Sequence, residues 1–142
     1  MSITASDLEQ LRRHGEDAYP AECCGILLGK FEGDGRRVYS IVPCQNACAD
    51  GRSTHFVIDP REVIQAQRAG RDLGLEIVGF YHSHPDHPAQ WSPTDLEEAH
   101  WIGCSYLITS VERGRSTTTN SFLLTGTLEE NKAFVSEELS VK

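Results

Sequence analysis

The feature that most constrains the fold of this chain is an apolar run, Leu75 to Tyr81, that leads directly into His82-Ser83-His84-Pro85. No apolar stretch in the sequence approaches the roughly eighteen residues that a membrane span requires. A run this short, with Ile, Val, Phe and Tyr among its members, predicts a buried central strand. Pro85 favours an extended conformation at His84, so the strand should end by presenting two histidines.

Further strands and helices are predicted around this strand. The predicted strands are Glu22 to Phe31, Arg37 to Pro43 after a hairpin turn at Gly33-Asp34-Gly35, Thr54 to Ile58, Cys104 to Ser110, Ser116 to Leu124 and an edge strand within Phe134 to Val141. Three helices are predicted. The first starts at a capping box of Ser6 and Glu9 and stops at Pro20, the second runs from the N-cap Asp59 to Gly74, and the third runs from Ser92 to about Trp101. With 142 residues and no linker or repeat, the chain is expected to form one domain over residues 1–142.

Composition and charge exclude several classes of protein. The formal net charge of −8 argues against nucleic acid as the main partner. The first residues lack the basic and apolar regions of a secretory signal, so a cytoplasmic protein without a membrane anchor is expected. Five cysteines without a CxxC pair make a disulfide framework improbable there. Cys44 and Cys48 have the spacing of half a zinc site, but the other half is missing and buried thiols are the better interpretation.

The histidine pair is a candidate metal site. Residues i and i+2 of a strand face the same side about 6.6 Å apart, so His82 and His84 could converge on one ion. Surface or hydrogen-bonded histidines would explain the pair equally well, and His87 offers a rival third ligand. The Asp86-His87-Pro88 context favours a loop over the cleft instead, and His14, His55 and His100 are expected at or near the surface.

Three further residues have two interpretations each. Asp95 lies three residues after Ser92, so the two could form only a capping box. Alternatively, Asp95 is a third metal ligand and Ser92 presents a hydroxyl to a polarised carbonyl. Glu22 is either a solvated residue after Pro20 or a carboxylate that accepts a proton from a metal-bound water.

The complete pattern resembles the signature of the JAMM (MPN+) metalloproteases. His82-Ser83-His84-Pro85, six further residues and Ser92-Pro93-Thr94-Asp95 match H-[ST]-H-P-x6-S-x-x-D at every position. Glu22 in Glu-Cys-Cys-Gly, together with Asn46 and Phe56 to Pro60, is similar to other landmarks of the family. The resemblance extends over roughly residues 5–125 and implies an α/β fold, with a mixed sheet flanked by helices as in the cytidine deaminases.

The resemblance also implies roles for the candidate residues. His82, His84 and Asp95 would bind one zinc ion per chain, Glu22 would be the general acid/base, and Ser92 would stabilise the oxyanion. Members of the family hydrolyse amide bonds, including isopeptide bonds, that follow the C-terminal glycine of ubiquitin-like proteins. The compact chain looks like the short prokaryotic members, some of which act on the Gly-Gly tail of sulfur-carrier proteins and release a C-terminal cysteine or another adduct.

Two alternatives to a peptidase remain at this point. A zinc deaminase would share the fold, but it needs an H-x-E motif with a downstream P-C-x-x-C, and the sequence has no P-C-x-x-C. A non-catalytic MPN-type binding module would typically lack the ligands that are all present here. The sequence does not indicate the oligomeric state.

Overall fold

The computed structural model describes all residues from Met1 to Lys142. Its elements in chain order are β1 (Ser2–Ile3), α1 (Ala5–Ala18), β2 (Cys24–Glu32), β3 (Gly35–Cys44), α2 (Pro60–Asp72), β4 (Glu76–Pro85), α3 (Pro93–Glu98), β5 (Ser105–Glu112), β6 (Arg115–Thr125), a 3-10 turn (Glu129–Asn131), β7 (Ala133–Glu137) and β8 (Ser140–Val141). None of the helices has the length and apolar character needed to cross a membrane.

All eight strands form one mixed sheet with β4 near its middle. The strand order is β7-β6-β5-β4-β2-β3-β1-β8, and β4 pairs antiparallel with β2 and parallel with β5. Every residue of β4 after its first is buried, as the apolar run predicted. The α/β class with a mixed sheet is therefore confirmed.

Helices cover both faces of the sheet. Neighbouring residues of β4 point to opposite faces, so β4 packs against helices on both sides. On one face Tyr81 packs in a buried cluster with Leu11 of α1, and on the other Phe80 packs with Ala66 of α2. Leu96 of α3 packs against the second cluster. The two apolar layers hold β4 rigidly from both sides.

Two of the predicted helices differ in their ends. The N-cap of α1 is Thr4, whose hydroxyl accepts the Asp7 N–H at 3.0 Å, so the predicted capping box of Ser6 and Glu9 is wrong. Helix α3 ends at Glu98 rather than near Trp101, whereas α2 starts at its predicted N-cap.

One predicted strand is absent and another is divided. Residues 54–58 form no strand, because the side chain of Asn46 rather than a neighbouring strand binds the backbone of this segment. The single C-terminal strand predicted within residues 134–141 is two strands at opposite edges of the sheet, β7 beside β6 and β8 beside β1. The segment between them crosses the end of the curled sheet, which sequence periodicity does not reveal.

The crossing segment is fastened by a buried ion pair. Arg36 Nη2 of β3 lies 2.6 Å from Glu137 Oε2 of β7, and Arg36 Nε donates to Ser105 Oγ at 2.6 Å. Glu137 also accepts hydrogen bonds from the hydroxyls of Ser105 and Ser121. The contacts of Arg36 with Glu137 and Ser105 join β3 to β7 and β5, which are not its neighbours in the sheet order.

Candidate metal centre and active-site cleft

The two predicted histidine ligands lie side by side at the C-terminal end of β4. His82 and His84 are 2% and 8% exposed, and they are flanked by β2 and β5. Their Nε2 atoms are 3.2 Å apart. As residues i and i+2 of a strand, they present two donor nitrogens at one point.

Asp95 joins this pair from the first turn of α3. Its Oδ1 lies 3.3 Å from His82 Nε2 and its Oδ2 3.1 Å from His84 Nε2. The same carboxylate closes a capping box, because it accepts the Ser92 N–H at 2.9 Å while Ser92 Oγ accepts the Asp95 N–H at 3.1 Å. The two interpretations of Asp95 are thus compatible, since helix capping is what aims the carboxylate at the histidines.

The chemistry of the three residues fits a divalent metal ion. One donor atom from each residue lies within 4.8 Å of the other two, and His-His-Asp leaves a fourth tetrahedral position open. His84 Nδ1 lies 2.9 Å from the Pro88 carbonyl, which places its proton on Nδ1 and a lone pair on Nε2. A cation bound between the two Nε2 atoms and the Asp95 carboxylate would be shared by three electron-pair donors that already lie close together.

Burial and hydrogen bonding shift the pKa values of the three candidate ligands in different directions. Burial lowers the pKa of His82 more than Asp95 raises it. Burial also lowers the pKa of His84, but hydrogen bonds to Asp95 and the Pro88 carbonyl outweigh it and the net shift is upward. Burial raises the pKa of Asp95, yet the two histidines hold it below its ordinary value. Neutral His82 and ionised Asp95 are the forms that bind metals.

Glu22 lies next to this cluster, although sixty residues separate them in sequence. It directly precedes Cys23, whose carbonyl accepts the Ser83 N–H at 3.2 Å and whose N–H donates to Ser83 Oγ at 2.8 Å. Glu22 as a residue is 4% exposed, and its Oε1 is buried without a hydrogen-bond partner. Burial raises the pKa of Glu22 to about 8, so the structure does not support a solvated carboxylate.

A polar cleft of about 420 Å³ opens beside the histidines and Glu22. The residues lining it come mostly from three loops and, apart from two prolines, carry carboxyl, hydroxyl, amide or imidazole groups: Glu22, Ser53, Thr54, His55, His84, Pro85, His87, Pro88, Gln90, Ser92 and Thr94. Ser92 Oγ already accepts one hydrogen bond, but its own proton remains available to a ligand in the cleft. His87 lines the cleft, as predicted for a loop residue, and is not one of the three grouped metal-ligand candidates.

Two contributors to the site were not assigned a role from the sequence. The ring of Phe56 stacks on the imidazole of His82 with centroids 4.6 Å apart, which fixes the orientation of that ligand. Asn46 connects the segment carrying Phe56 to the backbone of Glu22. Both residues were among the landmarks that resemble the JAMM family, but their roles depend on contacts with residues far away in sequence, His82 for Phe56 and Glu22 for Asn46.

The remaining histidines and cysteines lie outside the metal centre. His100 is exposed and pairs with Glu129, while His14 is half-buried with its Nδ1 2.7 Å from the Tyr81 hydroxyl. All five cysteines are free thiols, and neither Cys44 nor Cys48 takes part in a metal-ligand group. Cys44 is buried, as its interpretation as a buried thiol predicted, whereas Cys48 is only half-buried.

The fold and the site define a class of proteins, the α/β domains in which two histidines of a central strand and an aspartate of the next helix are grouped so that they could hold a metal ion. Residues 4–124 match the model of the prokaryotic homologues of the JAB domain, and the chain belongs to this family. The resemblance to JAMM proteins is thereby confirmed.

Named relatives and a solved structure agree with this assignment. The chain is 36% identical to the desampylase of Haloferax volcanii over 82% of its own length and 84% of the relative's. It is 34% identical to a probable TtuB-protein conjugate cleaving protease of Thermus thermophilus, over 66% of this chain and 60% of that protein. A protein of Desulfitobacterium hafniense with a known solution structure has a TM-score of 0.84 and 34% identity, covering 99% of this chain and 92% of the other.

Proposed function

We propose that this protein is a zinc metallopeptidase that hydrolyses the amide bond after the C-terminal Gly-Gly of a ubiquitin-like sulfur-carrier protein. The observation that carries the proposal is the buried, unpaired Glu22 carboxylate beside the His82, His84 and Asp95 cluster. The names of the two relatives, a desampylase and a conjugate-cleaving protease, support the same reaction class.

The three clustered residues would hold the zinc ion. Two imidazoles and one carboxylate are ligands that zinc prefers, and three protein ligands are the usual number at a catalytic zinc site. Zinc bound there would polarise the scissile carbonyl and lower the pKa of the attacking water.

Glu22 would move the protons of the reaction. Its carboxylate is enclosed, and burial raises its pKa to about 8 in the metal-free protein. A cation bound beside it would lower that pKa, so the ionised carboxylate could accept a proton from water and return it to the leaving amine. The free carboxylate oxygen has no competing partner in the protein. Its position at the wall of the cleft gives it access to both groups.

Ser92 would stabilise the developing oxyanion. Its backbone N–H donates to the Asp95 carboxylate, and its hydroxyl oxygen accepts a hydrogen bond from the Asp95 N–H. The hydroxyl proton takes no part in the helix cap and can be donated to an oxyanion in the cleft. A preorganised donor of this kind accelerates acyl transfer because it needs no reorganisation as charge develops.

A Gly-Gly tail suits the entrance to this site. Glycines allow an extended chain to approach the metal centre closely. The whole activity would reside in the one domain of residues 1–142. Five free thiols are typical of a reducing compartment, so we place the reaction in the cytoplasm.

The test is hydrolysis of a sulfur-carrier-like protein with an amide after Gly-Gly. Zinc-loaded wild type should release the adduct, chelator should stop the reaction, and Glu22→Ala should reduce the rate by about 10²-fold or more. Glu130→Ala is a matched control, because Glu130 is exposed and distant from the cleft. Retention of the wild-type rate by Glu22→Ala would disprove the role of Glu22, and inactive zinc-loaded wild type would favour a non-catalytic binding module.

A further inference from the structure

The side chain of Asn46 connects the proposed general-base residue to the loop that covers the candidate metal centre. Its Nδ2 donates to the Glu22 carbonyl at 3.2 Å and to the His55 carbonyl at 2.9 Å. Its Oδ1 accepts the N–H groups of Cys48 at 3.0 Å and Val57 at 3.1 Å. One half-buried amide thus makes four hydrogen bonds to four different residues, which uses its full capacity in this orientation.

These bonds replace a missing strand. Residues 54–58 are not part of the sheet, and Ala47 N–H to Val57 carbonyl at 2.8 Å is their backbone link to the end of β3. The segment nevertheless carries Phe56 against His82 on one side and His55 in the cleft on the other. Its position relative to Glu22 therefore depends on the Asn46 amide.

The backbone of Glu22 is bound by the same Asn46 side chain. It precedes β2, so its carbonyl is outside the strand ladder and is bound by Asn46 Nδ2. Its N–H donates to the Arg52 carbonyl at 2.7 Å, in the loop that Asn46 organises. Ser83 fixes only the following residue, Cys23.

From these contacts we infer that Asn46 is a positioning residue for the proposed peptidase reaction, setting the distance between the Glu22 carboxylate and the cleft wall formed by Ser53 to His55. The inference rests on the proposed function. Asn46 touches none of the three candidate metal ligands, so its removal should alter catalysis and leave zinc binding intact. A misplacement of about 1 Å at such a site costs on the order of 10²-fold in rate.

Asn46→Asp isolates the two bonds that matter. Aspartate keeps an acceptor for Cys48 and Val57, but turns the donor that faces Glu22 and His55 into a second acceptor opposite two carbonyls. Asn46→Ala removes all four bonds. Asn131→Asp is the matched control, because Asn131 also binds its own loop through both amide atoms, to Thr127 and Leu128, and lines none of the cavities at the site.

Three measurements are made on each zinc-loaded full-length variant: kcat and KM on a Gly-Gly amide substrate, the zinc dissociation constant by chelator competition, and amide hydrogen exchange. For Asn46→Asp we expect kcat to fall about 10- to 100-fold, an unchanged zinc dissociation constant, and faster exchange at the N–H groups of Glu22 and His55. Asn131→Asp should keep the wild-type kcat, zinc dissociation constant and hydrogen exchange at Glu22 and His55.

The inference is overturned if Asn46→Asp keeps the wild-type kcat, or if it loses zinc in proportion to activity, which would indicate a general structural defect. Should Asn46→Ala fail to fold, the aspartate variant carries the test. If wild type itself hydrolyses no substrate, the proposed function fails, and hydrogen exchange still decides the positioning role: unchanged exchange at Glu22 and His55 would refute it.

Discussion

Replacing Glu22 with glutamine should make the metal-free protein progressively more stable than wild type as the pH rises. The folded state raises the pKa of this carboxyl from 4.5 to about 8 because the side chain is buried. Between these values the folded protein holds a proton that the unfolded chain releases, so the free energy of unfolding falls as pH increases. Glutamine has nearly the same shape and does not titrate, so this pH-dependent loss disappears.

The size of the effect follows from the two pKa values. A tenfold change in a protonation equilibrium corresponds to about 1.4 kcal/mol, so the Glu22 carboxyl costs wild type about 1 kcal/mol at pH 5 and about 3 kcal/mol at pH 7. The difference in unfolding free energy between Glu22→Gln and wild type should therefore grow by about 2 kcal/mol over this interval. Any constant cost of burying the new amide cancels in the comparison between the two pH values.

The assay is urea unfolding of chelator-treated wild type and Glu22→Gln at pH 5, 6 and 7, followed by circular dichroism. Metal-free protein is needed because a nearby cation would lower the carboxyl pKa. Glu130→Gln, at an exposed position outside the cleft, is the matched control. A stability difference between Glu22→Gln and wild type that is flat from pH 5 to pH 7 would refute the conclusion that burial keeps this group protonated.

Further predictions concern the metal centre, the oxyanion donor and the closure of the sheet. Zinc at 100 times its dissociation constant should stabilise wild type by about 2.7 kcal/mol and His84→Ala much less; equal thermal shifts would contradict the ligand assignment. Ser92→Ala should lower kcat by about 10²-fold and, through loss of the N-cap, stability by about 1 kcal/mol; unaltered single-turnover rates would remove Ser92 from the reaction. Glu137→Ala removes the carboxylate partner of Arg36, which is 8% exposed, and should lower the free energy of urea unfolding by about 3 kcal/mol while zinc affinity stays constant. A decrease below about 1 kcal/mol would mean that water reaches the guanidinium.

The parts of the site that follow from local rules were predictable. The apolar run before His82 predicted a buried strand, and the i, i+2 spacing predicted two imidazoles on one side of it. Ser92 and Asp95 predicted a helix start, and that cap now aims the Asp95 carboxylate at the histidines. Each of these depends on residues within a few positions of one another.

The errors occur where distant segments meet. The strand predicted at residues 54–58 has suitable alternation, but the Asn46 side chain rather than a strand binds its backbone. The C-terminal residues were predicted to form one edge strand, whereas a buried pair between Arg36 and Glu137 fastens them across the end of the sheet. Neither contact has a local signal in the sequence.

The sequence by itself determined the chemistry of this protein: the donor types of the metal centre, their spacing, and the family to which the chain belongs. Only the tertiary structure decided whether the Glu22 side chain is buried or solvated. Pairing of Cys24 with His82 between β2 and β4 places the Glu22 carboxylate beside the candidate metal ligands, and burial there raises its pKa to about 8. Strand pairing between distant segments and the loss of solvent that follows from it are properties of the folded chain, so no local pattern of residues encodes them.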